Sequence, residues 1–342
     1  MDILELLPGD EANLDQFYAL ARQVYAHDPV WVPQSEAAFQ SLLAGPGGQF
    51  VQPLLCLQQG VPLARAAAIL NPSAHSDQGQ LVGYIGFFEC LEAYPQAGAA
   101  VLEAAERLLR ARGAAVVQAP RVDNMLMGLL VDRFDLPQTI LTPHNPPYYA
   151  VILLDSGYHI RERLYTFLFD RKAVIALPLV LPGFRTRTFN RQNLDAEVQL
   201  FHDLQQEIFI HHPGWVPRTL EEDRQMIAGF LPMLDDDLVI IAEDKKGRGV
   251  GLIVCLPDVY QAFRGHAVDN ARVISVGVIE PLVSKGLGVL MALHLGRNLV
   301  AKGYQTLEAS WTRDSNLPPQ NLATRRFSGQ RGREFALFEK TL

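Results

Sequence analysis

Apolar residues return every three or four positions through Leu14, Phe17, Leu20, Ala21 and Val24, which predicts an amphipathic helix over 12–26. The same pattern fills 195–210 (DAEVQLFHDLQQEIFI). Between the helices lie runs of strand formers. VQPLLCLQ and VPLARAAAILN flank Gln59-Gly60 as a hairpin, and GQLVGYIGFFEC (79–90) is the next strand. Later, DLVIIAED and GVGLIVCLPD flank residues 245–249 as a second hairpin, followed by ARVISVGVIE. ERLLRARGAAVVQAP (106–120) and GRNLVAKGYQTLEAS (296–310) each read as a helix closed by a glycine, Gly113 or Gly303, and then a strand. LYTFLF (164–169) and FALFEK (335–340) are terminal strands.

These elements repeat. His27, Pro29, Trp31, Val32 and Pro33 match His211, Pro213, Trp215, Val216 and Pro217 at a constant offset of 184, and Phe17 and Leu20 fall on Phe201 and Leu204. A period of that length indicates two copies of one domain rather than a solenoid. Ser156-Gly157 with Arg161-Glu162 parallels Ser328-Gly329 with Arg333-Glu334. The order per copy is β, α, α, β, β, β, α, β, α, β, β, an α/β fold with a mixed (α+β) sheet and helices on its faces. The expected domains are 1–172 and 184–342, joined by an apolar, packed linker over 173–183.

Composition narrows the partners. The net charge is −7, and it is uneven: residues 1–172 hold 18 acidic and 11 basic side chains, and residues 173–342 hold 19 of each. An acidic first half argues against nucleic acid and leaves the second half freer to hold an anion. No apolar run is long enough to span a bilayer, and the opening MDILELLPGDEAN does not read as a signal peptide. Cys56, Cys90 and Cys255 are far apart with no CxxC, as in reduced thiols of a cytoplasmic protein, and no metal site is expected. His211-His212 lacks the spacing and further ligands of one.

The stretch Ile274–Leu295 carries the candidate chemistry. It is a β-branched strand, a break at Glu280-Pro281, and then Lys285-Gly286-Leu287-Gly288 leading into a helix. Strand, glycine turn and helix aim free N–H groups at an anion, and glycine lets a phosphate approach the backbone. A packed turn between strand and helix needs the same residues.

With that stretch inside a twofold repeat, the chain resembles the GNAT N-acyltransferase superfamily in tandem two-domain form. Val283-Ser284-Lys285-Gly286-Leu287-Gly288 stands where the family has its acyl-CoA pyrophosphate loop, Gln/Arg-x-x-Gly-x-Gly/Ala, with Val283 at the first position. The resemblance implies acetyl-CoA or another acyl-CoA as co-substrate, contacted by Val276, Gly277 and Val278 along the fourth strand and by Val283 to Val289 in the loop. Asn316 and Arg325 are further implied contacts. In the first copy the equivalent stretch, Glu89 to Gly98, has no glycine pair and carries Glu89 and Glu92. That copy is expected not to bind CoA and to act as a structural or acceptor-side half.

Glu308 in TLEASWT stands where a strand carboxylate takes the amine's proton; an ion pair is its other reading. The family's usual tyrosine is absent after Asn316, where Phe327 stands in ATRRFSG, so Tyr148 and Tyr149 are named as possible acids. Trp215 and Trp31 follow the first helix of each copy and are expected either to line an acceptor pocket or to pack in the core. The implied function is transfer of an acyl group from acyl-CoA to the amine of a small molecule or peptide by direct attack in the C-terminal domain, without a membrane partner, in a monomer or homodimer. The alternative is a catalytically degenerate tandem protein that binds a ligand or partner.

Overall fold

The computed structural model describes residues 1–7, 9–33, 35–43, 45, 48–170 and 179–342, with the side chains of 38, 42 and 310 left aside. Most of the expected linker therefore lies outside the described residues. The chain divides into two compact units.

Unit 1 comprises Met1–Gln138, Thr142–Leu164 and Glu334–Leu342. Its elements are β1 (Asp2–Glu5), α1 (Glu11–Val24), α2 (Glu36–Leu43), β2 (Phe50–Gln58), β3 (Val61–Leu70), β4 (Val82–Cys90), α3 (Pro95–Ala111), β5 (Val116–Ala119), β6 (Leu129–Leu130), α4 (Tyr148–Asp155) and the first half of β7 (His159–Asp170). Gln59 and Gly60 both take positive φ, the geometry of the two-residue turn joining β2 to β3. Helix α1 buries Phe17 and Leu20 with Phe39 and Leu55. Helices α3 and α4 cover a second core, built around Ile85, Leu102, Leu109, Ile152 and Leu153.

Unit 2 comprises Thr139–Leu141 and Tyr165–Arg333. It holds the second half of β7, then β8 (Phe184–Thr188), α5 (Leu194–Phe209), α6 (Leu220–Phe230), β9 (Val239–Asp244), β10 (Gly249–Pro257), α7 (Tyr260–Phe263), β11 (Asn270–Val278), α8 (Leu287–Lys302), β12 (Thr306–Arg313), α9 (Leu317–Asn321) and the start of β13 (Gln330–Thr341). Its core joins Leu204, Ile240, Ile253, Leu287, Met291 and Leu295.

The strand order runs β1-β2-β3-β4-β5-β13-β7 in unit 1 and β13-β7-β12-β11-β10-β9-β8 in unit 2. Against boundaries drawn from the repeat, three pieces change sides: Thr139–Leu141, the end of β7 from Tyr165, and Glu334–Leu342. A strand joins whichever edge offers free backbone partners, and chain order does not decide that edge.

Candidate functional site

In unit 2, β11 and β12 run parallel from Asn270↔Thr306 to Val273↔Ala309, where their pairing ends. Against β10 the register of β11 shifts by one residue at Ile274. Ile279 N–H donates to Val250 O at 3.0 Å. By the two-residue alternation of an antiparallel ladder, Val276 and Val278 therefore turn N–H and C=O to the side that β12 has left. Val276 is 43% exposed there. Gly277 is fixed by packing, since a Cβ would stand 2.3 Å from Ile208 Cγ2 on α5.

The loop beyond β11 makes a turn of 3-10 helix over Val283–Lys285, and Gly286 caps α8 in the left-handed region at φ +84°. The first bond of that helix is Leu290 N–H to Gly286 O, so the N–H groups of Leu287, Gly288 and Val289 precede it. Val283 (55% exposed), Ser284 and Lys285 face solvent. Gly288 differs from its neighbour. Its φ is not positive, and a Cβ there would make an ordinary contact, 3.7 Å from Leu322 Cδ2. Among the described residues nothing demands a glycine at that position.

Asn316 occupies the N-cap of α9 but makes no side-chain cap bond. The helix continues as a π-turn, Leu322–Arg326, whose arginines are exposed. Such turns are frequent at functional sites.

Glu308 lies inside unit 2, 1% exposed. Its Oε2 accepts from Thr139 Oγ1 at 2.8 Å and pairs with Arg333; Oε1 has no partner among the described residues. Burial alone would raise this carboxyl, but the Arg333 and Arg272 guanidiniums and the Thr139 hydroxyl outweigh it and hold the carboxyl below its ordinary value. A carboxylate held ionised by a buried guanidinium is a poor proton acceptor, so this geometry makes Glu308 an internal brace. Arg272 extends the brace, donating from Nη1 to Ile140 O at 2.6 Å.

Trp215 stacks on Phe209, with ring centroids 5.0 Å apart, and Trp31 stacks on Tyr25 at 4.6 Å. Tyr25 and Phe209 are themselves 184 apart, so the repeat preserves this aromatic pair as well as the loops. The buried Trp215 indole N–H finds no partner among the described residues.

Unit 1 treats the equivalent strand differently. Beyond the short pairing of Val82–Tyr84 with Val116–Gln118, β4 also parts from β5, and a bulge puts Phe87 at φ +54°. Leu91 N–H donates to Leu63 O, as Ile279 does to Val250, which makes Cys90 the counterpart of Val278. Here, however, the open edge is already satisfied. Cys90 N–H donates to the Tyr149 hydroxyl at 2.8 Å, and the Tyr148 hydroxyl donates to Cys90 O at 2.6 Å. Tyr149 in turn donates to Glu89 Oε2 at 2.7 Å. Burial raises the Tyr148 and Tyr149 hydroxyls above the ordinary tyrosine value and pushes the Cys90 thiol up to about 12. Both tyrosines are thus occupied within unit 1, on the backbone edge where a pantetheine would have to pair.

Beneath α1 the sequence reading missed a buried ionic cluster. Arg65 is 5% exposed; its Nη1 donates to Phe17 O at 2.5 Å, and its Nη2 stands 3.6 Å from Glu89 Oε1. Burial raises the Glu89 carboxyl, against Arg65 and the Tyr149 and Tyr25 hydroxyls, which lower it. Asp28 Oδ2 meets His144 Nε2 at 2.7 Å. One signal was legible: an arginine inside the apolar run VPLARAAAIL must find a partner once that strand is buried.

Among the described residues no group of His, Cys, Asp and Glu is placed to hold a metal, and no helix is long and apolar enough to cross a membrane.

The chain has the tandem GNAT N-acetyltransferase fold. A tandem GNAT protein from the clavulanic acid biosynthesis pathway superposes at a TM-score of 0.64 over 99% of this chain and 98% of its own, at 12% identity. A probable N-acyltransferase from Enterococcus faecalis V583 gives 0.64 over 99% of this chain and 72% of its own, also at 12% identity. In sequence, Protein YghO of Escherichia coli is 25% identical over 96% of this chain and 93% of that protein. The bacterial ceramide synthase of Caulobacter vibrioides is 25% identical over 97% and 95%. No family model matches.

Proposed function

We propose that unit 2 is an acyl-CoA-dependent N-acyltransferase site. Gly288 carries the proposal. It sits in the first turn of α8, where neither its φ nor its neighbours call for glycine, and approach by a ligand's phosphate accounts for it. The pyrophosphate would take the N–H groups of Leu287 to Val289, with Ser284 and Lys285 beside them. The pantetheine arm would pair with the open edge at Val276 and Val278, and Asn316 and Arg325 would meet the nucleotide end.

The neutral substrate amine would attack the thioester carbonyl, forming the amide C–N bond as the C–S bond breaks, and the proton the nitrogen loses would pass through water to the CoA thiolate, which leaves as the free thiol. Positioning and backbone donors on the oxyanion would supply the acceleration. The likeness to a bacterial ceramide synthase supports a long-chain amino alcohol as acceptor and a fatty acyl donor. The exposed Val276 and Val283 beside the proposed groove agree with an apolar acyl chain.

A second reading has its own observation. Glu308 is tied to Arg333, and Leu317–Arg326 contains no tyrosine, so unit 2 lacks both proton-transfer groups of the usual pattern. That favours binding without turnover.

Calorimetry with acetyl-CoA and palmitoyl-CoA, on wild type and Gly288→Trp, tests the site. The expected result is sub-millimolar binding that the variant loses; equal binding by both proteins refutes it. Thiol release in the presence of sphinganine then separates the readings, because a protein that binds acyl-CoA and releases none is a binder.

A further inference from the structure

Around the N-terminal end of α8, unit 2 leaves three aliphatic side chains facing water: Val283 is 55% exposed, Leu317 60% and Val180 80%. Their chain neighbours tie all three to that helix end. Val180 precedes Leu181, whose Cδ1 stands 3.8 Å from where a Cβ on Gly286 would be. Leu317 begins α9, which runs on into Leu322, and Leu322 Cδ2 is 3.7 Å from the same point on Gly288. Val283 opens the 3-10 turn that Gly286 closes. Single exposed aliphatic residues are ordinary on a surface, but three around one site mark a contact.

The same surface is cationic. No aspartate or glutamate occurs in 281–307 or in 315–333. Lys285 in the loop, and Arg325 and Arg326 on the π-turn that carries Leu322, are exposed, and none of the three makes an ion pair among the described residues.

A phosphopantetheine thioester reaches an enzyme in two forms, on the nucleotide of CoA or on a serine of an acidic carrier protein. A nucleotide would answer the cations and leave the three aliphatic side chains in water. Val283 also brings no polar group to a second phosphate. The arm of a carrier ends in a single phosphodiester, which the N–H groups of Leu287 to Val289 can satisfy. The protein behind that phosphate would cover Val180, Val283 and Leu317 and set carboxylates against Lys285, Arg325 and Arg326.

We propose that unit 2 takes its acyl group from an acidic carrier protein docked on this surface. The docking rests on the donor site proposed above and gives it a partner. The reaction keeps its balance, with the carrier's phosphopantetheine thiol as the leaving group in place of free CoA. The patch is small, as suits a partner that must depart after each transfer. A bilayer suits it less well, because a phospholipid phosphate brings no pantetheine to the open edge at Val276 and Val278.

Titration calorimetry on the full chain compares four probes: a bacterial acyl carrier protein bearing palmitoyl-phosphopantetheine, the same carrier without its arm, palmitoyl-CoA, and phosphatidylglycerol vesicles. The loaded carrier is expected to bind about tenfold more tightly than each of the others. The double variant Leu317→Asp, Arg326→Glu should weaken the loaded carrier by about the same factor and leave palmitoyl-CoA as in wild type. Both positions are exposed, and neither is assigned to the arm or its phosphate. Gly288→Trp should weaken both donors. Palmitoyl-CoA as tight as the loaded carrier, vesicles tighter than it, or a double variant that shifts both donors alike would each overturn the carrier and leave the donor site standing. If neither thioester binds, or Gly288→Trp weakens neither, the donor site itself falls and the carrier with it.

Discussion

Glu308 shows how far a single residue was legible. Alternation along TLEASWT put it on one face of a strand, and the ion pair stood beside the catalytic role as a reading. Its partners come from elsewhere: Arg333 is 25 residues on and Thr139 is 169 residues back, at distances along the chain that no local pattern encodes. The geometry makes a stability prediction. Glu308→Gln leaves the Arg333 guanidinium buried beside a neutral amide, and breaking a buried pair from one side costs about 3–5 kcal/mol. The sign with pH follows from the depressed carboxyl. Its contribution is fully present above the ordinary value of 4.5 and is lost as pH falls through the lower folded value. Urea unfolding of both proteins should therefore show a wide gap at pH 7 that closes as the pH falls well below 4.5. A gap that is absent at pH 7, or equally wide at both ends, contradicts the brace.

At the scale of elements, strand, glycine turn and helix were legible because each is local. Val273–Val278 is β-branched and apolar, proline stops the ladder, and helix formers follow Gly288. The division of labour between the two glycines was not legible, because it depends on φ and on neighbours from other elements. Gly286 is in the left-handed region, so Gly286→Ala should destabilise unit 2 by about 1–2 kcal/mol. Gly288 is helical with room for a methyl, so Gly288→Ala should stabilise by up to about 1 kcal/mol while weakening acyl-CoA binding. Thermal unfolding paired with acyl-CoA calorimetry reads both. A Gly288→Ala protein that is more stable and binds acyl-CoA like wild type would return this turn to a purely structural role. In unit 1 the missing glycine pair is plain in the sequence, but the two tyrosine hydroxyls that cap Cys90 come from a helix almost sixty residues further on, a separation that no local pattern encodes.

For the molecule as a whole, the offset of 184 revealed two copies, because it recurs at paired tryptophans, prolines and histidines. It did not reveal where the terminal strands go. LYTFLF and FALFEK are both largely apolar, and either satisfies a sheet edge. In the structure Glu334–Leu342 completes unit 1: Phe338–Thr341 pair with Val116–Ala119, and Phe335–Ala336 pair with Leu129–Leu130. Phe335 and Phe338 are fully buried. Losing one such phenylalanine costs about 3–5 kcal/mol, and a domain holds only about 5–15 kcal/mol in total. A chain ending at Arg333 should therefore lose unit 1, although the residues removed lie at the far end of the sequence from it. Hydrogen exchange gives the readout. Amides of β3, β4 and β5 should lose protection in the truncated protein, while β9, β10 and the paired start of β11 keep theirs. The reverse pattern, with β5 protected and β9–β11 exposed, would show that the last strand serves the half of the chain it follows.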